Sequence, residues 1–237
     1  MKTGTLYGIG VGPGDPDLIT LKAAKVLERV AIVFAAASTK NDHSLAEKIV
    51  SPHLHAGARI VRLDFPMTRD RERLNQAWQE NAGIVVRTLE EGVDAALVTL
   101  GDPMTYSTFG YIMQTIRETK AEIPIRIIPG ITSYQAASAS AEWVLAEGEE
   151  SFAVVSGALG AERLKGVIGQ ADNVVVLKVY RHYNEIMKAL KELHLSEKSV
   201  LISRCGLEGE EISFDLKQRP DTHPSYLSLL LIRKKNR

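Results

Sequence analysis

The sequence predicts an α/β protein built from two α/β domains with a ligand cleft between them. Its 237 residues suit one large or two small domains. Up to about residue 131, strand-like apolar runs alternate with amphipathic helical segments, which indicates a mostly parallel sheet covered on both faces. The pattern changes after Pro129-Gly130. We therefore expect an N-terminal domain at 1–131 and a C-terminal domain at 132–237, with the ligand at the junction, where ligands commonly bind.

The N-terminal domain begins with a predicted strand at 5–11, a glycine-rich loop and a helix at 17–30. The elements that follow are a buried strand at 31–37, a helix at 45–50, a strand at 59–63, a long amphipathic helix at 70–91, a strand at 94–100, a helix at 109–120 and a strand at 123–128. Ligands of parallel sheets bind beyond the carboxyl ends of the strands. We therefore look for a site in the turns that follow the strands.

The C-terminal domain carries fewer helical segments. The predicted elements are a helix of small residues at 132–141, strands at 152–155 and 174–180, a helix at 183–193, and strands at 200–203 and 226–232. Residues 206–224, GLEGEEISFDLKQRPDTHP, look like a hairpin-like excursion between the last two strands. These elements predict a smaller α/β domain.

Composition excludes several classes of partner. Lysine plus arginine equals aspartate plus glutamate, 29 of each, so no global field would hold the protein on nucleic acid or on an anionic membrane. The single cysteine, Cys205, excludes an internal disulfide and a cysteine-based zinc site. We predict no metal site, no membrane-spanning segment and a cytoplasmic location.

The first glycine-rich loop, GIGVGPGDP at 8–16, does not fit a nucleotide fingerprint. A dinucleotide-binding G-x-G-x-x-G would need glycine at Pro13 or Asp15, and the acid expected after the second strand is missing from AAASTK. No Gly-Lys-Ser/Thr follows, so a P-loop is also disfavoured. The loop can be explained as a tight turn in which Asp15 or Asp17 caps the helix.

The second Gly-Asp-Pro lies in TLGDPMTYSTFGY at 99–111. Gly101 lets the strand end approach a ligand closely, and the Asp102 carboxylate suits a cationic or hydroxyl-rich partner rather than a phosphate. The hydroxyls at 106–108 either cap the next helix or line a pocket. A third segment, IPGITSYQAASAS at 128–140, is rich in small residues that admit a flat ligand or a close helix contact.

Three motifs in this order, GVGPGDPDLITLKA, TLGDPMTYSTFGY and IPGITSYQAASA, resemble those of the tetrapyrrole methylases, the S-adenosylmethionine-dependent enzymes of the cobalamin and sirohaem pathways. The resemblance runs from about residue 6 to 232. YSTF after LGDP, LAEGEE at 145–150 and VVLKVYR at 175–181 are most similar to the precorrin-2 C20-methyltransferase branch, which acts on precorrin-2 or cobalt-factor II. FAVVSGALG at 152–160 departs from that branch.

The resemblance implies a homodimer that holds S-adenosyl-L-methionine in the interdomain cleft and binds a tetrapyrrole. The implied donor-binding residues are Pro13, Leu100, Gly101, Asp102, Thr105, Thr132, Ser133, Lys178 and Val179, with the region 204–206. Since the acceptor meso carbon is itself nucleophilic, the protein needs no nucleophile of its own. A base could still remove a proton, and the candidates are Tyr106, Glu142 and His182.

The substrate class also predicts basic residues around the site, because such a tetrapyrrole carries a rim of carboxylates. Arginine binds carboxylates through two parallel hydrogen bonds. The candidates are Arg69, Arg71, Arg73 and Arg181. The first three could equally form a solvated helix turn of alternating charge.

Other functions stay open on the sequence. Within the family, the chain could be a uroporphyrinogen-III or precorrin-4 methyltransferase, or a diphthine synthase that modifies a protein side chain. Outside it, a nucleotide-dependent oxidoreductase would use the glycine loop for a pyrophosphate, and a non-catalytic module would bind the donor without transferring its methyl group.

Overall fold

The computed structural model describes residues 2–37, 45–214, 216–217, 219 and 222–234. The chain divides into two compact units, Met1–Thr132 and Ser133–Arg237. In the described part of the chain, each unit carries one five-stranded sheet. Residues 38–40 of the AAASTK segment and parts of the 206–224 excursion lie outside the described residues.

The first unit contains a wholly parallel sheet, which confirms the predicted parallel α/β pattern. Its elements are β1 Leu6–Gly10, α1 Leu21–Leu27, β2 Ile32–Ala37, α2 Leu45–Val50, β3 Arg59–Asp64, α3 Arg71–Glu90, β4 Ala95–Thr99, α4 Phe109–Thr119 and β5 Ile125–Ile128. The strand order is β3-β2-β4-β1-β5. This order differs from the 3-2-1-4-5 of a Rossmann domain, in agreement with the rejected dinucleotide fingerprint.

Helices cover both faces of this sheet. On one face α3 and α4 place Val85, Ile112 and neighbouring residues against Phe34 and Leu97. On the other face α1 and α2 pack against alternate residues of the same strands, such as Val33. A strand buried on both faces becomes continuously apolar, which explains the uninterrupted apolar runs of β2 and β4.

The helix predicted at 17–30 begins later than expected. A short 3-10 turn at Pro16–Leu18 comes first, and its backbone is capped by Asp15 Oδ1, which accepts a hydrogen bond from Asp17 N at 2.9 Å. Thr20 then starts α1 by accepting from Ala23 N at 3.3 Å. The capping role expected of Asp15 is therefore confirmed for the turn, whereas the cap of α1 itself is Thr20.

The second unit contains a mixed sheet of order β6-β7-β10-β8-β9. Strands β6 and β7 are parallel, and the other neighbouring pairs are antiparallel. The elements are α5 Ser133–Ser140, β6 Phe152–Ser156, α6 Ala161–Ile168, β7 Asn173–Leu177, α7 Tyr183–Glu192, β8 Ser199–Ser203, β9 Glu211–Phe214 and β10 Ser228–Arg233. Pairing of β9 with β8 confirms the predicted hairpin-like excursion.

The structure differs from the sequence prediction at two places in this unit. The strand predicted to reach residue 180 ends at Leu177, because Lys178 has a φ of +58° and turns the chain into a 3-10 helix at Val179–His182. The sequence also gave no indication of α6, which is short and contains Gly166. Its helical conformation depends on packing Leu164 and Ile168 into the core of the unit.

Three glycines set the spacing at the carboxyl edge of the first sheet. A Cβ on Gly10 would lie 2.5 Å from the carbonyl oxygen of Gly101 and 2.6 Å from the amide nitrogen of Gly130. A Cβ on Gly130 would overlap the Gly101 carbonyl oxygen. The ends of β4, β1 and β5 therefore meet backbone against backbone, which only residues without a side chain allow.

Gly130→Ala is expected to destabilise the protein by about 2 kcal/mol or more, because overpacking against rigid backbone costs about 1–3 kcal/mol. Gly110→Ala is the matched control, since no atom lies within 4 Å of a Cβ at that position in α4. Alanine is the better helix former there, so this variant should gain about 0.5–1 kcal/mol. Urea denaturation measures the stability of both variants. Equal midpoints for Gly130→Ala and Gly110→Ala would contradict the close packing of backbone around Gly130.

Candidate functional site

Both Gly-Asp-Pro turns lie at the carboxyl edge of the first sheet. Gly12 and Gly101 form an isolated antiparallel bridge, in which Gly101 N donates to Gly12 O at 2.7 Å and Gly12 N donates to Gly101 O at 3.3 Å. Both glycines have positive φ, +83° and +69°. Pro13, the next residue after Gly12, is buried. The loop after β1 is thus fastened to the loop after β4.

The Asp102 carboxylate is bound to the backbone and side chains of its own unit. Its Oδ1 accepts from Met104 N at 2.8 Å and from Thr105 Oγ1 at 3.4 Å, and its Oδ2 accepts from Gly130 N at 3.1 Å. This carboxylate therefore shapes the turn after β4 and ties it to the segment after β5. Direct contact of the carboxylate with a ligand stays a prediction.

The surroundings of Gly101 fit the close approach of a ligand. A Cβ on Gly101 would have no neighbour nearer than 3.9 Å, where Ile131 O and Thr132 Cα lie. The space that a side chain would occupy is thus left open, in contrast to the tightly packed Gly10 and Gly130. The first unit brings its predicted donor-binding residues to this one edge: Pro13, Leu100, Gly101, Asp102, Thr105 and Thr132.

The hydroxyls after Asp102 divide between the two roles that the sequence left open. Ser107 Oγ lies 2.8 Å from Thr99 Oγ1 and accepts from Phe109 N at 3.1 Å, so it supports the start of α4. Tyr106 has a φ of +52° and is 55% exposed. Ser107 therefore stabilises the start of α4, whereas the side chain of Tyr106 is exposed to solvent.

The three arginines of FPMTRDRER follow β3 at the same edge of the sheet. Arg69, Arg71 and Arg73 are exposed, while Asp70 caps α3 by accepting from Glu72 N at 3.0 Å and Arg73 N at 3.3 Å. Strand β3 is two positions from β4, about 10 Å, because neighbouring strands lie about 4.8 Å apart. Contact of these arginines with an anionic ligand stays a prediction.

In the second unit, the end of β7 lies at the same sheet edge as the end of β6, the start of β10 and the end of β8. Lys178 and Arg181 are exposed there, whereas Val179 is fully buried in the core. Val179 presents no accessible surface in this structure, so its predicted role in donor binding stays a prediction. Crowding by protein atoms, and then the charge of Arg181, lower the pKa of the Lys178 ammonium.

His182 is the candidate base with a carboxylate partner. Its Nδ1 lies 3.1 Å from Glu185 Oε1, one turn further along the chain. Gly160 gives this pair room, since a Cβ there would lie 2.7 Å from Glu185 Oε2. A carboxylate on Nδ1 fixes the tautomer and leaves Nε2 as the acceptor. This arrangement suits proton abstraction.

The remaining predicted site residues lie at the two ends of α5. Ser133 is its first residue, and Glu142 follows its end with a φ of +48°. A left-handed residue just after a helix is an ordinary way to end it, so the conformation of Glu142 has a structural cause. The predicted cleft between the units stays a prediction.

The sequence reasoning missed two tyrosines and assigned Arg204 only loosely. Tyr180 was placed inside a strand and Tyr226 at the start of another, yet their rings meet with centroids 4.8 Å apart. Arg204 follows β8 with a φ of +57°. Each of the three lies next to a strand at the edge of the second sheet where β7 ends.

Two kinds of feature are absent from the described residues. No helix among them is long and apolar enough to cross a membrane. No group of three or more histidine, cysteine, aspartate or glutamate side chains among them could hold a metal ion.

Known proteins with similar sequences or folds can now be compared with this geometry. Cobalt-precorrin-2 C(20)-methyltransferase of Salmonella typhimurium is 33% identical over 98% of this chain and 97% of its own length. A probable cobalt-precorrin-2 C(20)-methyltransferase of Methanocaldococcus jannaschii is 32% identical over 97% of this chain and 96% of its own. Uroporphyrin-III C-methyl transferase from Thermus thermophilus, solved with S-adenyl homocysteine, shares the fold at a TM-score of 0.69 and 21% identity, covering 98% and 92% of the two chains.

The family comparison agrees with these relatives. The model of the Tetrapyrrole (Corrin/Porphyrin) Methylases matches residues 5–218, which include all the strand-end turns described above except the start of β10. With two α/β units, the three glycine-containing turns and relatives that align along nearly the whole chain, the protein belongs to the tetrapyrrole methylase family.

Proposed function

We propose that the protein is an S-adenosylmethionine-dependent methyltransferase that methylates C20 of precorrin-2 or of its cobalt form, cobalt-factor II, in cobalamin biosynthesis. The observation that carries this proposal is the similarity over nearly the whole chain to two relatives named for C20 methylation of cobalt-precorrin-2. The YSTF sequence after LGDP, whose turn lies at the candidate site, supports the same branch.

The carboxyl edge of the first sheet is the proposed donor site. S-Adenosylmethionine supplies a methyl group from its sulfonium, whose carbon–sulfur bond breaks as the new carbon–carbon bond forms. The protein contributes a shaped edge: the backbone of Leu100 to Asp102, the open space beside Gly101, and the hydroxyl of Thr105 held by Asp102. Alignment of this kind contributes up to about 7–11 kcal/mol in intramolecular reactions.

The proton that leaves the methylated carbon needs an acceptor or a path to solvent. We assign His182 this role among the three candidates, because Glu185 on Nδ1 holds its ring and leaves Nε2 to accept. The carboxylates of the substrate rim are assigned to Arg69, Arg71, Arg73 and Arg181, all of which are exposed. The homodimer and the cytoplasmic location stay predictions.

Methyl transfer to the proposed acceptor is the direct test. With S-adenosylmethionine and precorrin-2 or cobalt-factor II, the protein should form a product one methyl group heavier, with the new carbon at C20. Mass spectrometry and carbon-13 NMR of the labelled product check both points. Uroporphyrinogen III, precorrin-4 and diphthamide-type protein acceptors serve as the alternative substrates. Turnover with one of these and none with precorrin-2 or cobalt-factor II would contradict the assigned branch.

Ligand-induced stabilisation separates the methylase from a nucleotide-dependent oxidoreductase. S-Adenosylhomocysteine should raise the melting temperature of the protein, because a ligand that binds only the folded state stabilises it by mass action. NAD should leave the temperature unchanged, since the glycine loop lacks the dinucleotide fingerprint. Stabilisation by NAD alone would defeat the methylase proposal.

The two Gly-Asp-Pro turns should differ in their effect on donor binding. The Asp102 carboxylate accepts three hydrogen bonds, and Asp102→Asn turns one of its two oxygens into an amide nitrogen that cannot accept. This variant should weaken S-adenosylhomocysteine binding about tenfold or more. Asp15→Asn is the matched control, because asparagine caps about as well as aspartate. Isothermal titration calorimetry measures both affinities. Similar losses in the two variants would refute the division of roles.

The proposed base is tested by His182→Gln, which should lower kcat by about 100-fold or more, as loss of general base catalysis does. His194→Gln, an exposed histidine just after α7, is the control and should retain wild-type activity. Single-turnover kinetics isolate the chemical step from product release. A kcat within twofold of wild type for His182→Gln would remove this residue from the mechanism.

A further inference from the structure

A cluster of aromatic and basic side chains lies where β7 ends and β10 begins. We call Lys178, Tyr180, Arg181 and Tyr226 the tyrosine–arginine cluster. Leu229 of β10 pairs with Leu177 of β7, which brings residue 226 alongside the turn after β7. The two tyrosines had no role in the predicted site, although this turn carries three of the predicted ligand-binding residues, Lys178, Val179 and Arg181.

Tyr180 holds one edge of the Arg181 guanidinium. Arg181 Nε donates a hydrogen bond to Tyr180 Oη at 2.9 Å, and the guanidinium carbon lies 5.8 Å from the centroid of the Tyr180 ring. A guanidinium has five N–H donors in one plane, of which Nε supplies one. The hydrogen bond therefore fixes the plane of the Arg181 guanidinium. The two terminal nitrogens, whose spacing matches that of a carboxylate, lie on the edge of the guanidinium opposite to Nε.

Tyr226 in turn fixes the Tyr180 ring. Their centroids are 4.8 Å apart at an interplanar angle of 53°, a favourable tilted arrangement. Tyr226 is nevertheless 59% exposed, and Arg181 is also exposed. Buried packing does not account for an ordered aromatic pair and a held guanidinium at the surface. Their placement points to a ligand that arrives from solvent.

The electrostatics of the cluster favour an anion. The charge of Arg181 acts on Lys178 and, after the effect of crowding, further lowers the pKa of its ammonium. Two like charges thus lie within interaction range of each other. A carboxylate arriving with the ligand would be attracted by both cations.

We infer that Tyr180 is a positioning residue, which orients the Arg181 guanidinium so that its terminal nitrogens bind one peripheral carboxylate of the tetrapyrrole, with Lys178 as the second cation. The inference rests on the proposed function for the identity of the ligand. Tyr180 does not touch the reacting atoms, so its removal should affect substrate affinity and leave the chemical step intact.

Tyr180→Phe tests the inference, because it keeps the ring against Tyr226 and removes only the acceptor of the Arg181 hydrogen bond. We expect the KM for the tetrapyrrole to rise about fivefold, as the net loss of one typical hydrogen bond predicts. The kcat, the KM for S-adenosylmethionine and the melting temperature should stay at wild-type values. Tyr111→Phe is the matched control, since Tyr111 belongs to the first unit, where its ring stacks on Trp78.

A double-mutant cycle shows whether Tyr180 acts through Arg181. Arg181→Lys keeps the charge and loses the planar pair of donors, so it should also raise the KM for the tetrapyrrole. The double variant should have the same KM for the tetrapyrrole as Arg181→Lys alone, because Arg181→Lys already removes the Nε donor that Tyr180 holds. Additive effects would overturn the positioning role.

A binding measurement separates failure of this inference from failure of the proposed function. Uroporphyrin III, a carboxylate-rimmed probe, is titrated by fluorescence quenching into wild type and Tyr180→Phe with S-adenosylhomocysteine present. Weaker binding by Tyr180→Phe supports the inference. Equal binding and equal KM in an active wild-type enzyme overturn the inference alone. A wild-type protein that neither binds the probe nor methylates precorrin-2 or cobalt-factor II overturns both proposals.

Discussion

The meeting of three backbone segments at the carboxyl edge of the first sheet is the constraint on which the candidate donor site depends. Gly10 and Gly130 lack a Cβ at positions where one would overlap the backbone of the neighbouring segment, and the segment that both of them meet is the Gly101 carbonyl. The Asp102 carboxylate adds the hydrogen bond to Gly130 N that holds two of these segments together. The result is an edge formed by peptide groups, which can approach a ligand more closely than side chains could.

The edge of the second sheet where β7 and β8 end is built differently. Lys178 and Arg204 follow strands in the left-handed conformation, φ +58° and +57°, which costs about 1–3 kcal/mol for a residue other than glycine. Glu142 and His194 share this conformation, but each follows a helix, where it is an ordinary ending. The strand-end residues lack that explanation. Their strain is consistent with side chains that are needed at those positions.

Local patterns predicted the elements that carry their own signals. The long helix α3 agrees with its prediction because Asp70 provides a cap and the apolar residues recur at helical spacing over twenty residues. Helix α6 gave no such signal, since eight residues are too few for periodicity to outweigh a glycine. The end of β7 was misplaced because residues 178–180 have the composition of a strand, while the backbone turns at Lys178.

The sequence by itself determined the parallel α/β pattern, the order of the three glycine-containing motifs and the family that they indicate, because helix and strand periodicity and turn residues are local properties. Only the tertiary structure decided that the Asp102 carboxylate turns inward to Gly130, and that Tyr180 meets Tyr226 beside Arg181. These contacts join segments far apart in the chain. The direction of such a side chain depends on the strand order and on the backbone angles at one or two turns. Neither the strand order nor these angles can be read from the residues next to the side chain in the sequence.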